Sequence, residues 1–174
     1  TAALENAGVE LSARGFSQVD EACRTAAEGV FAIGDVAGPP MLAHKAMHEA
    51  TMVVDRIAGR ESHAVDASYI PMCTYCQPQV ASIGYTEEKA KEAGYEVNVS
   101  KFPWVGIGKA VAIGETGGFL KLVADAKYGE ILGATVVGPE ATEIINELAL
   151  AGTAELTPAE IIAPVDAHHT LSEG

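Results

Sequence analysis

The sequence predicts an α+β fold in which helices flank a mostly antiparallel sheet. Two apolar segments, 119–124 and 131–137, are joined by a short polar stretch that contains Gly129, and this arrangement is typical of a hairpin. A helix is predicted over 139–151, because its apolar residues recur on one face. Helices and mostly antiparallel strands that succeed one another in this way form an α+β unit, an antiparallel sheet with flanking helices.

A polar stretch without periodicity, residues 60–67, divides the chain into two predicted domains, 1–65 and 66–174. In the first, residues 29–33 are short, apolar and followed by a Gly-Asp turn, which suits a buried parallel strand. Residues 42–58 then predict one helix. Its apolar positions recur at helical spacing: Ala43, Ala46, Met47, Ala50, Val53, Val54 and Ile57.

The second predicted domain carries further strands and helix-capping signals. Segments 80–83 and 95–102 predict strands, and the helix expected between them has Thr86 as its N-cap. Segment 131–137 is apolar almost throughout, so we expect it to be a central strand covered on both faces. Residues 157–160, Thr-Pro-Ala-Glu, form a capping box that predicts a short helix.

Charge and composition limit the possible partners. The 174 residues carry a net charge of −13, which disfavours nucleic acid and anionic membrane surfaces. No apolar run reaches the roughly 20 residues that span a bilayer. Three cysteines are an odd number that fits a reducing compartment, so we expect a cytoplasmic protein. The chain starts with Thr1 and stops at Gly174, and we interpret it as a fragment of a longer protein.

The first candidate site is the Gly34-Asp35 turn and the helix start that follows it. A strand that ends in Gly-Asp places a carboxylate at the edge of a sheet, where it can accept hydrogen bonds from a polyol. The helix begins within Met41-Leu42-Ala43-His44, and a helix N-terminus stabilises negative charge on a ligand. An ordinary turn aspartate is the alternative interpretation.

The second candidate site is the tail. A histidine followed by a carboxylate can act as a base and the group that orients it, and either His168 or His169 could reach Glu173 if a helix starts near Thr170. Exposed histidines without a role are the alternative. Two adjacent histidines also suggest metal binding, but no third ligand has suitable spacing, so no metal site is predicted.

Cys73 and Cys76 form a C-x-x-C pair, which can be a redox couple or half of a zinc site. The pair falls in a strand-like stretch rather than at a helix start, and no second pair exists. We therefore interpret both as structural or incidental thiols. His44 and His48 are four residues apart on one helix, but Lys45 stands where a metalloprotease has glutamate, so metal binding is not expected there.

These landmarks, taken in order, resemble the pyridine nucleotide-disulfide oxidoreductase family, and its dihydrolipoamide dehydrogenases in particular. The similarity runs almost the whole length of the chain without large gaps. Its segments are Thr25 to Asp35, Met41 to Ala46, Ile70 to Glu88, Gly118 to Asp125, Ile131 to Gly133, Gly138-Pro139, Ile145 to Glu147 and His168 to Glu173.

The resemblance implies a flavin enzyme. Residues 1–65 would be the end of a Rossmann-like FAD domain, in which Gly34 and Asp35 contact the ribityl chain and Met41, Leu42, Ala43 and His44 lie against the flavin. Residues 66–174 would be the dimerisation domain of a homodimer. His168 would take a proton from a dihydrolipoyl thiol and Glu173 would orient it. The thiolate would attack a redox disulfide, and electrons would pass through FAD to NAD⁺. Lipoyl domains of 2-oxo-acid dehydrogenase or glycine-cleavage complexes would be the partners.

The chain departs from the family pattern in the tail. Asp166 stands where the family has histidine, and His169 replaces the proline that follows the catalytic histidine. The family's glycine-rich FAD motif, redox cysteine pair and nicotinamide fold are absent, so the fragment alone is expected to be inactive and to bind neither FAD nor NAD stably. Two alternatives stay open: a stand-alone dimerisation module without catalysis, and a fragment of a mercuric or glutathione reductase.

Overall fold

A computed structural model describes residues 3–174, which divide into two compact units after Asp66. The first unit is turn-rich. Short 3₁₀ helices span Leu4–Ala7 and Gly34–Ala37, and one long helix, α1, spans Ala43–Ile57. Helix α1 therefore begins and ends within one residue of the predicted limits, 42–58, with Arg56 in its last turn.

The predicted strand over 29–33 is wrong. Within the described part of the first unit, this segment makes only an isolated antiparallel bridge between Phe31 and Arg24. A strand requires a neighbour that supplies a ladder of hydrogen bonds, and a single bridge does not extend into one. An apolar run read from the sequence does not reveal whether that neighbour is present.

Helix α1 does not bury the face that its apolar pattern predicts. The buried positions are Lys45, Glu49, Met52 and Val53, which follow helical spacing. Three of the predicted apolar positions are well exposed instead: Met47, Val54 and Ile57. The buried face therefore includes two charged residues, Lys45 and Glu49. Their role depends on the loop formed by residues 34–38.

The second unit is built on a five-stranded antiparallel sheet with strand order β1-β2-β5-β4-β3. The strands are β1, Met72–Thr74; β2, Gln79–Gly84; β3, Val97–Pro103; β4, Phe119–Asp125; and β5, Ile131–Gly138. The hairpin of β4 and β5 is confirmed, and β5 lies in the middle of the sheet with most of its residues buried. An apolar segment occupies the centre because both of its faces are covered.

Four α-helices and a short 3₁₀ helix, Trp104–Gly106, accompany the sheet. The α-helices are α2, Glu87–Glu92; α3, Gly108–Ala112; α4, Ala141–Thr153; and α5, Pro158–Ile162. The Thr86 side chain caps α2 by accepting from the Lys89 N–H at 3.2 Å. At α5, the Thr157 N–H donates to the Glu160 carboxylate at 2.6 Å, as its capping box predicts. Helix α3 was not predicted, because five residues contain too few turns to show a period.

The main core lies between α4 and the sheet and is centred on Trp104, which is fully buried. The Trp104 indole N–H donates to the Val137 carbonyl at 2.6 Å, so its polar atom is satisfied. Gln79 of β2 accepts hydrogen bonds from the Thr142 N–H and hydroxyl at 3.1 and 2.9 Å. Because Gln79 lies on β2 and Thr142 on α4, these bonds set the helix against the strand. No helix within residues 3–174 is long and apolar enough to cross a bilayer.

Candidate functional site: an imidazole–carboxylate turn and a clamped glycine loop

The C-terminal turn brings an imidazole and a carboxylate together at the surface. Nδ1 of His168 lies 2.7 Å from Oε1 of Glu173. The backbone N–H of His169 donates to the other oxygen, Oε2, at 2.9 Å. The Thr170 hydroxyl donates to the Ala167 carbonyl at 2.7 Å and tightens the backbone between the two partners. One carboxylate therefore receives both a side-chain and a main-chain contact.

Leu171 anchors this turn to the protein. Its side chain is buried in the main hydrophobic cluster together with Trp104 and Ile107. His168, in contrast, has 77% of its side chain exposed. A buried residue in the middle of the turn limits the freedom of its neighbours, while the imidazole stays accessible to another molecule.

The helix expected to start near Thr170 is wrong, because residues 168–173 form turns. His168 lies before Thr170, so the predicted helix would have carried only Glu173 of the pair. The turn allows the carboxylate to fold back onto both histidines.

The pair has a defined arrangement of protons. An ionised carboxylate only accepts hydrogen bonds, so the contact assigns the proton of His168 to Nδ1 and leaves the Nε2 lone pair free. The hydrogen bond from His168 is the main reason that the pKa of Glu173 is lowered from its ordinary value of 4.5. Glu173 is therefore ionised at neutral pH, and the His168 ring that it contacts is largely exposed to solvent.

An open groove of about 480 Å³ lies beside the turn. Three carboxylates, those of Glu140, Glu143 and Glu147, line it together with Lys109. The His169 ring also borders the groove and packs against the His168 ring, with a centroid separation of 3.9 Å and an angle of 34° between the two planes. The surface next to His168 is therefore predominantly negative.

The second candidate site is the glycine loop, residues 34–38, whose shape is set by a buried ion pair. Lys45 and Glu49 lie one turn apart on α1, 3.0 Å from each other, with about a tenth of each side chain exposed. Glu49 accepts the Gly34 N–H at 2.7 Å, and the Lys45 ammonium donates to the Gly38 carbonyl at 3.2 Å. Both ends of the loop are thus bound to one pair of charges.

Gly34 cannot be replaced at this position without strain. Its φ is +69°, and a Cβ there would lie 3.0 Å from the Cβ of Ala46. Asp35, the next residue, is exposed and lies on the 3₁₀ turn that the ion pair supports. The loop therefore presents a carboxylate on a rigid backbone.

The segment from Met41 to His44 leads into α1. Leu42 is the N-cap and makes no side-chain capping bond, and the first turn, which starts at Ala43, contains no acidic residue. The dipole of the helix at this end favours negative charge on a ligand. Met41 is half exposed and His44 is partly buried. An exposed carboxylate beside an uncapped helix start fits a ligand with hydroxyl and phosphate groups, as FAD has.

Lys45 and Glu49 were missed at the level of sequence. The available signal was a lysine and a glutamate four residues apart, next to the apolar positions Ala46 and Ala50 of an amphipathic helix. Such a pair usually indicates a solvated helix face. Only the fold shows that this one is buried.

The remaining candidates do not form a site. All three cysteines are free thiols, and desolvation by burial raises the pKa of Cys73, which makes it a poor nucleophile. Cys76 is exposed in the turn after β1. Among the described residues, no three histidine, cysteine or acidic side chains cluster in a way that could hold a metal ion.

Both units of the chain have relatives among known proteins. Residues 70–174 match the pyridine nucleotide-disulphide oxidoreductase dimerisation domain, and residues 1–50 match the pyridine nucleotide-disulphide oxidoreductase family. The dihydrolipoyl dehydrogenase of Zymomonas mobilis is 49% identical over 171 residues, which are 98% of this chain and 36% of that protein. The dihydrolipoyl dehydrogenase of Corynebacterium glutamicum is 48% identical over 173 residues, or 98% and 37% of the two chains.

A solved structure has the same fold. The HOCl-induced flavoprotein disulfide reductase RclA from Escherichia coli superimposes with a TM-score of 0.90 at 28% identity, covering 98% of this chain and 40% of that one. The sheet and its helices thus form the dimerisation domain of a disulfide reductase, and the residues before it match the same family of proteins. The chain belongs to the pyridine nucleotide-disulphide oxidoreductase family. It spans a little over a third of the length of the curated relatives that it matches.

Proposed function

We propose that this chain is part of a flavoprotein disulfide reductase that oxidises protein-bound dihydrolipoamide with FAD and NAD⁺. The observation that carries the proposal is the His168–Glu173 pair, in which an ionised carboxylate orients an exposed imidazole. The names of relatives that are 42–49% identical support the same reaction. The protein would act in the cytoplasm on lipoyl domains.

In this proposal, His168 moves the proton. Nε2 accepts a proton from a dihydrolipoyl thiol, which converts the thiol into the nucleophilic thiolate. Glu173 keeps the proton of the ring on Nδ1 and stabilises the imidazolium that results. The groove beside the turn would admit the substrate arm, since it opens next to His169.

The glycine loop would hold the cofactor. The Asp35 carboxylate would accept hydrogen bonds from ribityl hydroxyls, and the N–H groups at the start of α1, around Ala43, would face negative charge on the cofactor. When bound, FAD supplies two-electron redox chemistry. Lys45 and Glu49 would keep the loop in one shape during binding.

Replacement of His168 by glutamine tests the proton-transfer role. In a full-length protein that contains this segment, H168Q is expected to lower lipoamide turnover by about 10²–10⁴-fold, because general acid–base catalysis contributes that much. Steady-state oxidation of dihydrolipoamide measures the effect. H63Q is the matched control, since His63 is an exposed histidine of the first unit. Undiminished turnover in H168Q would refute the assignment.

The chain is also expected to form a homodimer. Its second unit matches a dimerisation domain, and it exposes large apolar side chains such as Tyr75, Ile162 and Val165. Light scattering on the purified chain at several concentrations should report twice the mass of one chain. A monodisperse monomer would argue against the homodimer. If the chain is a dimer but H168Q leaves the turnover of the full-length protein unchanged, the alternative is favoured. That alternative is a dimerisation module without catalysis.

A further inference from the structure

The segment that carries His168 has little packing of its own. Residues 162–169 are all exposed, and Val165 is fully exposed. The chain returns to the main hydrophobic cluster at Leu171, whose side chain is buried there. An imidazole on such a segment samples many positions unless polar contacts hold the backbone beside it.

The hydrogen bonds of this segment are of two kinds. Those to the Glu173 carboxylate come from Nδ1 of His168, at 2.7 Å, and from the His169 N–H, at 2.9 Å. The other kind is made by the Thr170 hydroxyl, which donates to the Ala167 carbonyl at 2.7 Å. This bond does not use the carboxylate, so it does not depend on how Glu173 is oriented.

The Thr170 bond spans both histidines. Ala167 directly precedes His168, and Thr170 directly precedes Leu171, so the bond ties the carbonyl beside the exposed imidazole to the residue beside the buried anchor. The backbone freedom that this bond removes would otherwise have to be lost when the imidazole meets the carboxylate. We propose that Thr170 is a positioning residue, whose hydroxyl keeps the imidazole of His168 within reach of Glu173.

Two variants of Thr170 separate its hydroxyl from its methyl group. T170V keeps the shape of the side chain and removes the donor, whereas T170S keeps the hydroxyl and loses the methyl group. T51V is the matched control. The Thr51 hydroxyl also donates to a backbone carbonyl, that of Met47 at 3.1 Å, but it does so on an exposed face of α1.

Three measurements on the chain itself, without cofactor or substrate, report the outcome. Long-range ¹H–¹⁵N correlations give the tautomer of His168, and ¹³C titration gives the pKa of Glu173. Fluorescence of Trp104, the single tryptophan, reports whether the second unit is folded, because the indole is fully buried in the core that also contains Leu171.

T170V is expected to leave the ring proton of His168 distributed between Nδ1 and Nε2, while Trp104 emission stays that of the folded chain. The pKa of Glu173 should move up towards its ordinary value of 4.5, because the His168 bond that lowers it forms less often. T170S and T51V are expected to keep the proton on Nδ1. T170V with unchanged tautomer and titration would overturn the proposal, and so would a T170S variant that behaves like T170V.

A measurement on the unmodified chain covers the case in which T170V fails to fold. A hydroxyl that stays on the Ala167 carbonyl holds the Thr170 side chain in a single χ1 rotamer. Three-bond couplings to the methyl carbon of Thr170 measure this rotamer. Couplings averaged over several rotamers would contradict the positioning role.

The value of Thr170 for catalysis rests on the proposed function, in which His168 is the base, but the spectroscopic series does not. In the full-length protein, T170V should lower turnover by about three- to tenfold, the factor that loss of one hydrogen bond gives, and T170S should restore it. If H168Q leaves turnover intact while T170V shifts the tautomer, the proposed function fails and the positioning role stands. If H168Q abolishes turnover and T170V leaves the pair unchanged, the positioning role fails alone.

Discussion

Replacement of Gly118 by alanine is expected to destabilise the second unit by about 3 kcal/mol or more, from backbone strain and overpacking of about 1–3 kcal/mol each. Gly118 precedes β4 with a φ of +107°, and a Cβ there would overlap the carbonyl oxygen of Val137. That oxygen also accepts the indole N–H of Trp104 at 2.6 Å. The new methyl group therefore disturbs the backbone and a buried hydrogen bond together.

The adjacent residue provides a matched control. Gly117 has ordinary φ, and no atom lies within 4 Å of the position that an alanine methyl group would take, so G117A should be neutral or stabilise the unit by about 0.4–1 kcal/mol. Urea unfolding followed through Trp104 fluorescence measures both variants on one probe. If G117A and G118A unfolded at the same urea concentration, the close packing around Gly118 that the structure shows would be contradicted.

Replacement of Lys45 by methionine is expected to destabilise the first unit by about 3–5 kcal/mol, the cost of leaving one member of a buried pair alone. Lys45 and Glu49 are only 9% and 10% exposed, so water does not compensate for the lost partner. The variant also removes the donor to the Gly38 carbonyl. Hydrogen exchange of the α1 amides reports the effect within the first unit, whereas Trp104 belongs to the second unit.

Variants at Glu49 separate charge from hydrogen bonding. E49Q keeps an acceptor for the Gly34 N–H, whereas E49L leaves that N–H buried without one, so Gly34 should exchange faster in E49L than in E49Q. R60M is the control, because Arg60 pairs with Asp55 at an exposed site and should change stability by less than about 1 kcal/mol. If K45M and R60M lowered the free energy of unfolding by similar amounts, burial of the Lys45–Glu49 pair would not be the reason for its large effect.

Local signals predicted much of the second unit. The hairpin of β4 and β5 was evident because two apolar segments flank a short polar turn, and β5 is central because almost every residue in it is apolar. The caps at Thr86 and Glu160 were evident because they involve residues within one turn of each other. Interactions over three or four residues can be read directly from a sequence.

Features that depend on distant partners were predicted poorly. Segment 29–33 has the composition of a strand but pairs at only one position, and α1 turns Lys45 and Glu49 inwards while Met47 is exposed. Hydrophobic periodicity assumes that charged residues face water. A buried ion pair that also binds two loop backbone groups violates this assumption, and its partners lie at Gly34 and Gly38, outside the helix.

The sequence by itself determined the α+β class of the fold, the family resemblance and the set of residues from which a tail site could be built, because these depend on composition and order. Spacing alone left open which histidine meets Glu173, the family resemblance favoured His168, and a helix was expected to start near Thr170. Only the tertiary structure decided that Leu171 is buried, that His169 adopts positive φ and that the carboxylate folds back between two histidines. The physical reason is that a turn is selected by the packing that anchors it, and that packing comes from residues far along the chain.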